Sequence, residues 1–223
     1  MCTAFVVCRG RRVSTVKDYI TLNQRAQDEF VERKSRFIGT ATPVSTQEEA
    51  IAFIDEMRSK YWDATHNVYA YILRDGTKRY SDDGEPQGTA GVPVLDVLQK
   101  EGLTDLCVVV TRYFGGILLG AGGLVRAYSH GAKIAVDAAG IKPMSVCKVY
   151  ELEMDYSQYG KITYLLPKFH AVTLESDFGV VVKMRVMMRA VYASQFQREL
   201  EELTSATVFP YEIEEVWDCI PEK

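Results

Sequence analysis

Three carboxylates fall within four residues at Asp82, Asp83 and Glu85, on a stretch rich in Asp, Gly and Pro that runs from Ser81 to Gly91. Clustered carboxylates can hold Mg²⁺ or share acid–base work. The same residues can instead bind backbone amides in a tight turn, or pair with Arg79 or Arg112. His66 follows Trp62-Asp63 and can serve as base or hydrogen-bond hub, or simply fix its loop. If catalysis is present, His66, Asp82, Asp83 and Glu85 are its candidates, acting on a small anionic substrate. His130 and His170 lie far off in sequence and offer no ligand spacing, so no metal site and no cofactor are expected.

A second constellation is basic. Gly115, Gly116, Gly120, Gly122 and Gly123 crowd into nine residues, flanked by Arg112 and Arg126, with His130 and Lys133 further on. Bared amides at a helix start beside guanidinium groups make an anion or phosphate site. The competing reading is structural: small residues let a helix lie tightly on a sheet and let the chain reverse in little space. Tyr113, Phe114 and Tyr128 lie among the basic residues and can stack on bases, or finish a strand in the core. Known nucleotide fingerprints do not fit. Ala121 and Gly122 stand where a Walker loop needs Lys and Ser/Thr, and Val125 where a Rossmann turn needs a third small residue. Gly-x-Ser-x-Gly is absent, and Cys147 has no identifiable base beside it.

The elements that must hold these groups follow from periodicity. Leu106–Val110 is short, apolar and β-branched, a buried strand. From Leu124 the spacing turns helical, with Leu124, Tyr128, Gly131, Ala135 and Ala138 on one side and Gly140 as the stop. Tyr19–Leu22 and residues 30–44 read as extended. Ser45 with Glu48, or Thr46 with Glu49, forms a capping box before a helix with Ala50, Ile51, Ile54, Met57 and Tyr61 inward. Residues 67–73 read as a strand that turns at Asp75-Gly76, and Pro93 starts a short helix. Beyond Pro143, taken as a connector, the order is strand 148–155, helix 158–166, strands 171–176 and 180–188, helix 194–203 and strand 207–213. That βαββαβ succession predicts a ferredoxin-like domain.

The long central run Arg112-Tyr-Phe-Gly-Gly-Ile-Leu-Leu-Gly-Ala-Gly-Gly-Leu-Val-Arg-Ala-Tyr128, with Asp82-Asp-Gly-Glu-Pro-Gln-Gly-Thr-Ala-Gly-Val-Pro93 and His66-Asn67 upstream, resembles the YigZ/IMPACT family from about residue 18 to the C-terminus. The resemblance implies an α+β protein. Its first domain would be similar to the second domain of small-subunit ribosomal protein five, and its second would be ferredoxin-like. Such a pair is similar to the fourth and fifth domains of elongation factor G. It also implies a link to translation. Eukaryotic members bind the scaffold that activates the initiation-factor kinase, but they carry a different N-terminal module, so that role is not carried over.

Composition bounds the reading. Of 223 residues, 47% are apolar and 25% charged, as in ordinary globular domains. No run of about twenty apolar residues exists, so no membrane span is expected. Net charge is −4, but residues 1–147 sum to +1 and 148–223 to −5. A polyanion would therefore meet a local patch in the first part. Five cysteines without repeated spacing support neither a disulfide framework nor zinc and suit a cytoplasmic protein. Residues 1–17 are expected to be a leader outside the fold, with residues 1–15 arising from an early translation start and Val16 a candidate initiator. Domains are expected over 18–143 and 146–215. The expected role is non-catalytic binding of RNA, the ribosome or a translation-associated protein through Arg112, Gly115, Gly116, Gly122, Gly123, Arg126, His130 and Lys133, with no DNA sequence specificity. The alternatives are a nucleotide- or phosphate-dependent enzyme using the His66 and carboxylate cluster, or a protein-interaction module alone.

Overall fold

The structure is a computed structural model and describes residues 18–220. The leader expected over residues 1–17 lies outside the described residues, which divide into two compact units: residues 19–144 with 219–220, and residues 145–218 with residue 18.

In the first unit an antiparallel sheet carries the strands in the order β2-β3-β6-β4-β5, namely Ala26–Glu32, Ser35–Pro43, Leu106–Tyr113, His66–Ile72 and Lys78–Ser81. Strand β6 is central and covered on both faces, which is why its first five residues, Leu106–Val110, are continuously apolar rather than alternating. Leu106, Val108 and Val110 join the core beneath helices α2 (Gly91–Lys100) and α3 (Gly120–Ala139). Cys107 and Val109 face the other way, onto α1 (Gln47–Lys60). Burial pushes the Cys107 thiol far above its usual range, so it behaves as a small apolar side chain. Strand β1 (Tyr19–Leu22) pairs with residues 141–144, the start of β7 (Ile141–Met154).

Several details differ from the expectation, each for a local reason. Helix α3 begins at Gly120, four residues before its apolar spacing starts, because the first turn needs no core face. Thr46, not Ser45, caps α1: its Oγ1 accepts from Glu49 N at 3.2 Å, while Glu49 Oε2 reaches back to Ser45 N at 2.6 Å. Phe53 takes the inward place expected of Ile51, which is 45% exposed. Pro143 lies inside β7 opposite Ile20, rather than in a connector. The extended stretch at 30–44 is broken by a two-residue hairpin at Arg33-Lys34, both with positive φ (45° and 64°).

Helix α3 lies very close to the sheet. A Cβ on Gly39 of β3 would collide with the Gly131 carbonyl oxygen of α3, so only glycine fits there. Gly140 ends the helix at φ 65°, its N–H donating to Val136 O at 3.0 Å.

In the second unit the order is strand (the later part of β7), α4 (Tyr156–Leu165), β8 (Val172–Phe178), β9 (Val182–Arg189), α5 (Ala193–Thr204) and β10 (Pro210–Asp218). The antiparallel sheet runs β10-β7-β9-β8. Tyr150, Leu152, Met184 and Val186 from the sheet share one core with Ile162 of α4 and Phe196 and Leu200 of α5. Among the described residues no helix is long and apolar enough to cross a membrane.

Candidate functional site

Of the expected site residues in the first unit, His66, Glu85 and Arg112 line one cleft at the start of α3 and Gly123, Arg126 and His130 line another, while Asp82, Asp83, Lys133, Gly115, Gly116 and Gly122 line neither. Leu119 lines both.

The first cleft, about 370 Å³, holds the buried charges. Arg112, at the end of β6, and Glu85, on the loop after β5, are 4% and 8% exposed. Arg112 Nη1 donates to Glu85 Oε1 at 2.5 Å, and the Tyr128 hydroxyl donates to the same oxygen at 2.7 Å. Arg112 Nη2 reaches the buried Ser35 hydroxyl at 3.3 Å. Its guanidinium carbon lies 5.4 Å from the ring centres of both Phe37 and Phe114, within cation–π range. Arg112 is thus held through both terminal nitrogens, and its charge is met by a carboxylate, while its buried Nε has no hydrogen-bond partner among the described residues. Burial raises the Tyr128 phenol well above its ordinary pKa, and the neighbouring Glu85 charge pushes the same way. Expected as a base-stacking candidate, Tyr128 is instead fully buried.

The carboxylate cluster divides in the same manner. Asp82 accepts from Gly88 N at 2.8 Å through Oδ2, and from Ala90 N and Gly91 N at 3.1 and 2.7 Å through Oδ1. It clamps the loop onto the start of α2. Asp83 Oδ2 accepts from Asn67 N at 2.6 Å. Asp82 therefore does the turn-binding work that Asp commonly does, while Asp83 ties the loop to β4 and lies 3.6 Å from Arg58. Only Glu85 and His66 line the cleft with Arg112. His66 Nδ1 sits 2.7 Å from the Asp83 carbonyl oxygen, and its Nε2 lies 3.7 Å from Glu85 Oε1. Among the described residues no group of three or more His, Cys, Asp or Glu side chains is placed to hold a metal ion.

The second cleft, about 470 Å³, is lined by Phe30, Arg33, Gly123, Arg126 and His130 among others. Arg126 is exposed, and no carboxylate pairs with it among the described residues. Arg33 lies 4.0 Å from Glu32 Oε1, at the outer limit of an ion pair and on the surface. His130 meets the Phe30 ring edge-on at 4.6 Å. Lys133, grouped with these residues in sequence, is turned elsewhere: Glu101 and Asp137 hold its ammonium at 2.9 and 2.8 Å and raise its pKa, Asp137 most.

The glycines do different work. Gly115 N donates to Ser35 Oγ at 3.2 Å, and a Cβ there would run into the Lys34 carbonyl, so Gly115 seats the β2–β3 hairpin against the loop before α3. Gly116 takes φ 83°. Gly122 faces open space, and Gly123 lines the second cleft. No side chain caps α3, leaving its first amides without a side-chain partner. Sequence reasoning did not single out Arg33, Lys34 or Ser35. The only available signal was two adjacent basic residues inside an extended stretch, which a hairpin turn would have to expose.

Residues 33–136 match the family model of the Impact N-terminal domain, and residues 152–207 match a domain of unknown function, DUF1949. IMPACT family member YvyE of Bacillus subtilis is 39% identical over 189 residues, covering 84% of this chain and 87% of the relative. The chain belongs to the IMPACT family. IMPACT family member YigZ of Escherichia coli is 35% identical over 187 residues, covering 82% and 92%. Protein IMPACT of Oryctolagus cuniculus is 33% identical over 96 residues, 41% of this chain and 30% of that protein, so likeness to that relative is confined to a part of each. A solved structure titled as a hypothetical protein superimposes with a TM-score of 0.57 at 31% identity, covering 88% of this chain and 98% of that one. These matches fix the family, and the solved structure shares the mixed α+β fold of this chain.

Proposed function

We propose that this IMPACT-family chain is a non-catalytic regulator linked to translation that binds RNA, free or within the ribosome, through the face carrying Arg33, Lys34, Arg126 and His130. One observation carries the reading: Arg33 and Arg126, far apart in sequence, line a single open cleft beside the uncapped start of α3. A helix start, the Arg126 guanidinium and that of Arg33, which Glu32 meets only at 4.0 Å, together favour phosphate. Phe114, 45% exposed, supplies an aromatic face for a base at the neighbouring rim. Arg112 and Lys133 are left out of the contact set because carboxylates already meet their charges. Contacts to phosphate position a ligand without reading its sequence, so no DNA sequence specificity follows. The enzymatic alternative is weakened by Asp82, both of whose oxygens accept from backbone amides, and by Asp83, which holds the Asn67 amide and lies 3.6 Å from Arg58.

The finer fold assignment belongs to the same proposal. The first unit is assigned to the fold of the second domain of small-subunit ribosomal protein five, and the second, with strand order β10-β7-β9-β8, to the ferredoxin-like fold. Domain limits of 18–143 and 146–215 and a cytoplasmic setting go with it. Fold alone does not carry function, so the basic cleft bears the weight.

The test is fluorescence anisotropy of a labelled single-stranded RNA at several salt concentrations. The Arg33→Ala/Arg126→Ala double variant should bind at least about tenfold more weakly. Its salt slope should flatten by about 1.4, since each single-strand phosphate contact contributes about 0.7. Unchanged affinity and slope would sink the assignment.

A further inference from the structure

We propose that the face carrying Arg33 and Arg126 extends past Phe114 to Trp62, and that the RNA it takes is single-stranded, with bases stacked on those two rings. This rests on the RNA-binding reading of the same face and narrows the class of RNA. Arg36 of β3 lies opposite Tyr113 of β6, and Arg112 of β6 opposite His66 of β4. The Arg33-Lys34 hairpin tip, Phe114 and the turn at 61–65 therefore share one end of the sheet. The turn is tied down: Ala64 N donates to Tyr61 O at 3.1 Å and Thr65 N to Arg112 O at 2.9 Å. The Tyr113 hydroxyl donates to Asp63 at 2.8 Å, and Phe114 N to the Thr65 hydroxyl at 3.0 Å. Trp62 sits at the tip of this turn, 82% exposed, and no ring contact, ion pair or hydrogen bond holds its indole among the described residues. The Phe114 ring lies under the Arg112 guanidinium and is half-exposed. Two large rings left bare on a backbone fixed beneath them make a stacking platform.

The two ends of this strip differ in charge. At the hairpin end Arg33, Lys34 and Arg126 outnumber Glu32, the one carboxylate among the residues lining their cleft. At the Trp62 end the charges are nearly balanced. Glu29 holds Arg36 at 2.6 Å, Asp55 and Asp83 lie 3.7 and 3.6 Å from Arg58, and Lys60 and Asp63 add one of each sign. Phosphate is therefore drawn to the first end, and base faces suit the second. A duplex keeps its bases stacked on one another and would offer Trp62 only phosphate and sugar, which a balanced surface does not attract. A single strand can splay its bases onto the rings while its backbone follows the arginines.

The experiment uses the full chain and a labelled single-stranded RNA, alone or annealed to its complement, followed by anisotropy across salt concentrations with tryptophan emission read in parallel. The duplex should bind at least about tenfold more weakly than the single strand at matched salt. Trp62→Ala should weaken single-strand binding at least about fivefold at every salt concentration and leave the salt slope unchanged, since stacking releases no counterions. Trp62→Phe keeps a ring and should recover most of that loss. Trp62 is one of two tryptophans, so quenching of emission by the single strand should be strong in the parent and largely absent in Trp62→Phe. Position 62 is exposed in a turn, so both variants should fold like the parent. Single-strand binding that needs Arg33 and Arg126 but is indifferent to Trp62, or a duplex bound as tightly as the single strand, overturns the proposal and leaves the RNA-binding reading standing. Absence of any RNA binding overturns both.

Discussion

Two arginines of the first unit stand near the same helix start, and their surroundings could hardly differ more. Arg112 is buried, flanked by two aromatic rings and paired with Glu85. Arg126 is exposed in a cleft that it shares with Arg33 and His130. In the sequence they look alike, each beside the glycine-rich turn. The contrast shows that a formal charge is available to a ligand only where the fold has not already spent it on a carboxylate. Lys133 repeats the lesson on the surface, held between Glu101 and Asp137.

The comparison breaks most sharply through the buried pair. Removing one partner of such a pair leaves an uncompensated charge inside the protein, which typically costs about 3–5 kcal/mol. Glu85→Ala and Arg112→Ala should each lower the urea-unfolding free energy by that order. The double variant should lose less than the sum, because neither orphaned charge remains. Arg126→Ala should change stability by no more than about 0.5 kcal/mol, as surface substitutions do. Comparable losses at 112 and 126 would erase the distinction drawn between them.

Tyr128 sharpens it with a smaller effect. Its hydroxyl donates to the charged Glu85 carboxylate, a bond of a kind that contributes about 1.5–3 kcal/mol, so Tyr128→Phe should cost about that much at pH 7. Burial, then Glu85, raises the phenol's pKa in the folded state above its unfolded value of about 10. An acid shifted in that direction contributes stability that is complete below pH 10 and is lost as pH climbs past it. The parent should therefore weaken above pH 10, and the gap to Tyr128→Phe should narrow by pH 11 in urea unfolding. Tyr150 of the second unit, pushed up to about 12 chiefly by burial, adds a parallel decline common to both proteins. A gap that stays constant with pH would mean that the phenol is not being held protonated.

How far the sequence reached can be judged from these same elements. Strand β6 was legible because a segment covered on both faces must be apolar throughout, and the βαββαβ order of the second unit because its periods alternate cleanly. The start of α3 was not, since a first turn of glycines facing solvent carries no apolar period. The division of the candidate residues between two clefts was not readable. That division depends on Tyr128 and Ser35 meeting Glu85 and Arg112 across the core, contacts of long sequence separation that no local pattern encodes. The β2–β3 hairpin was hidden for the opposite reason. Its two turn residues carry neither of the usual local signals, Asn or Gly.

That hairpin gives the smallest effect and the clearest test of what the open cleft is for. Arg33 and Lys34 both sit at positive φ, where a side chain other than Asn or Gly is strained by about 1 kcal/mol or more per residue. Arg33→Asn/Lys34→Gly relieves the strain while leaving Ser35 and the Gly115 contact in place. The variant should gain about 0.5–1 kcal/mol in urea unfolding, with part of the strain relief offset by the greater freedom of glycine in the unfolded chain. If the strained residues serve phosphate binding, RNA affinity should fall in the same molecule, with a flatter salt dependence. Stability that rises while affinity falls is the pattern of a surface kept for function at a cost to the fold. Stability and affinity rising together would detach the hairpin from the cleft and leave Arg126 as its remaining arginine.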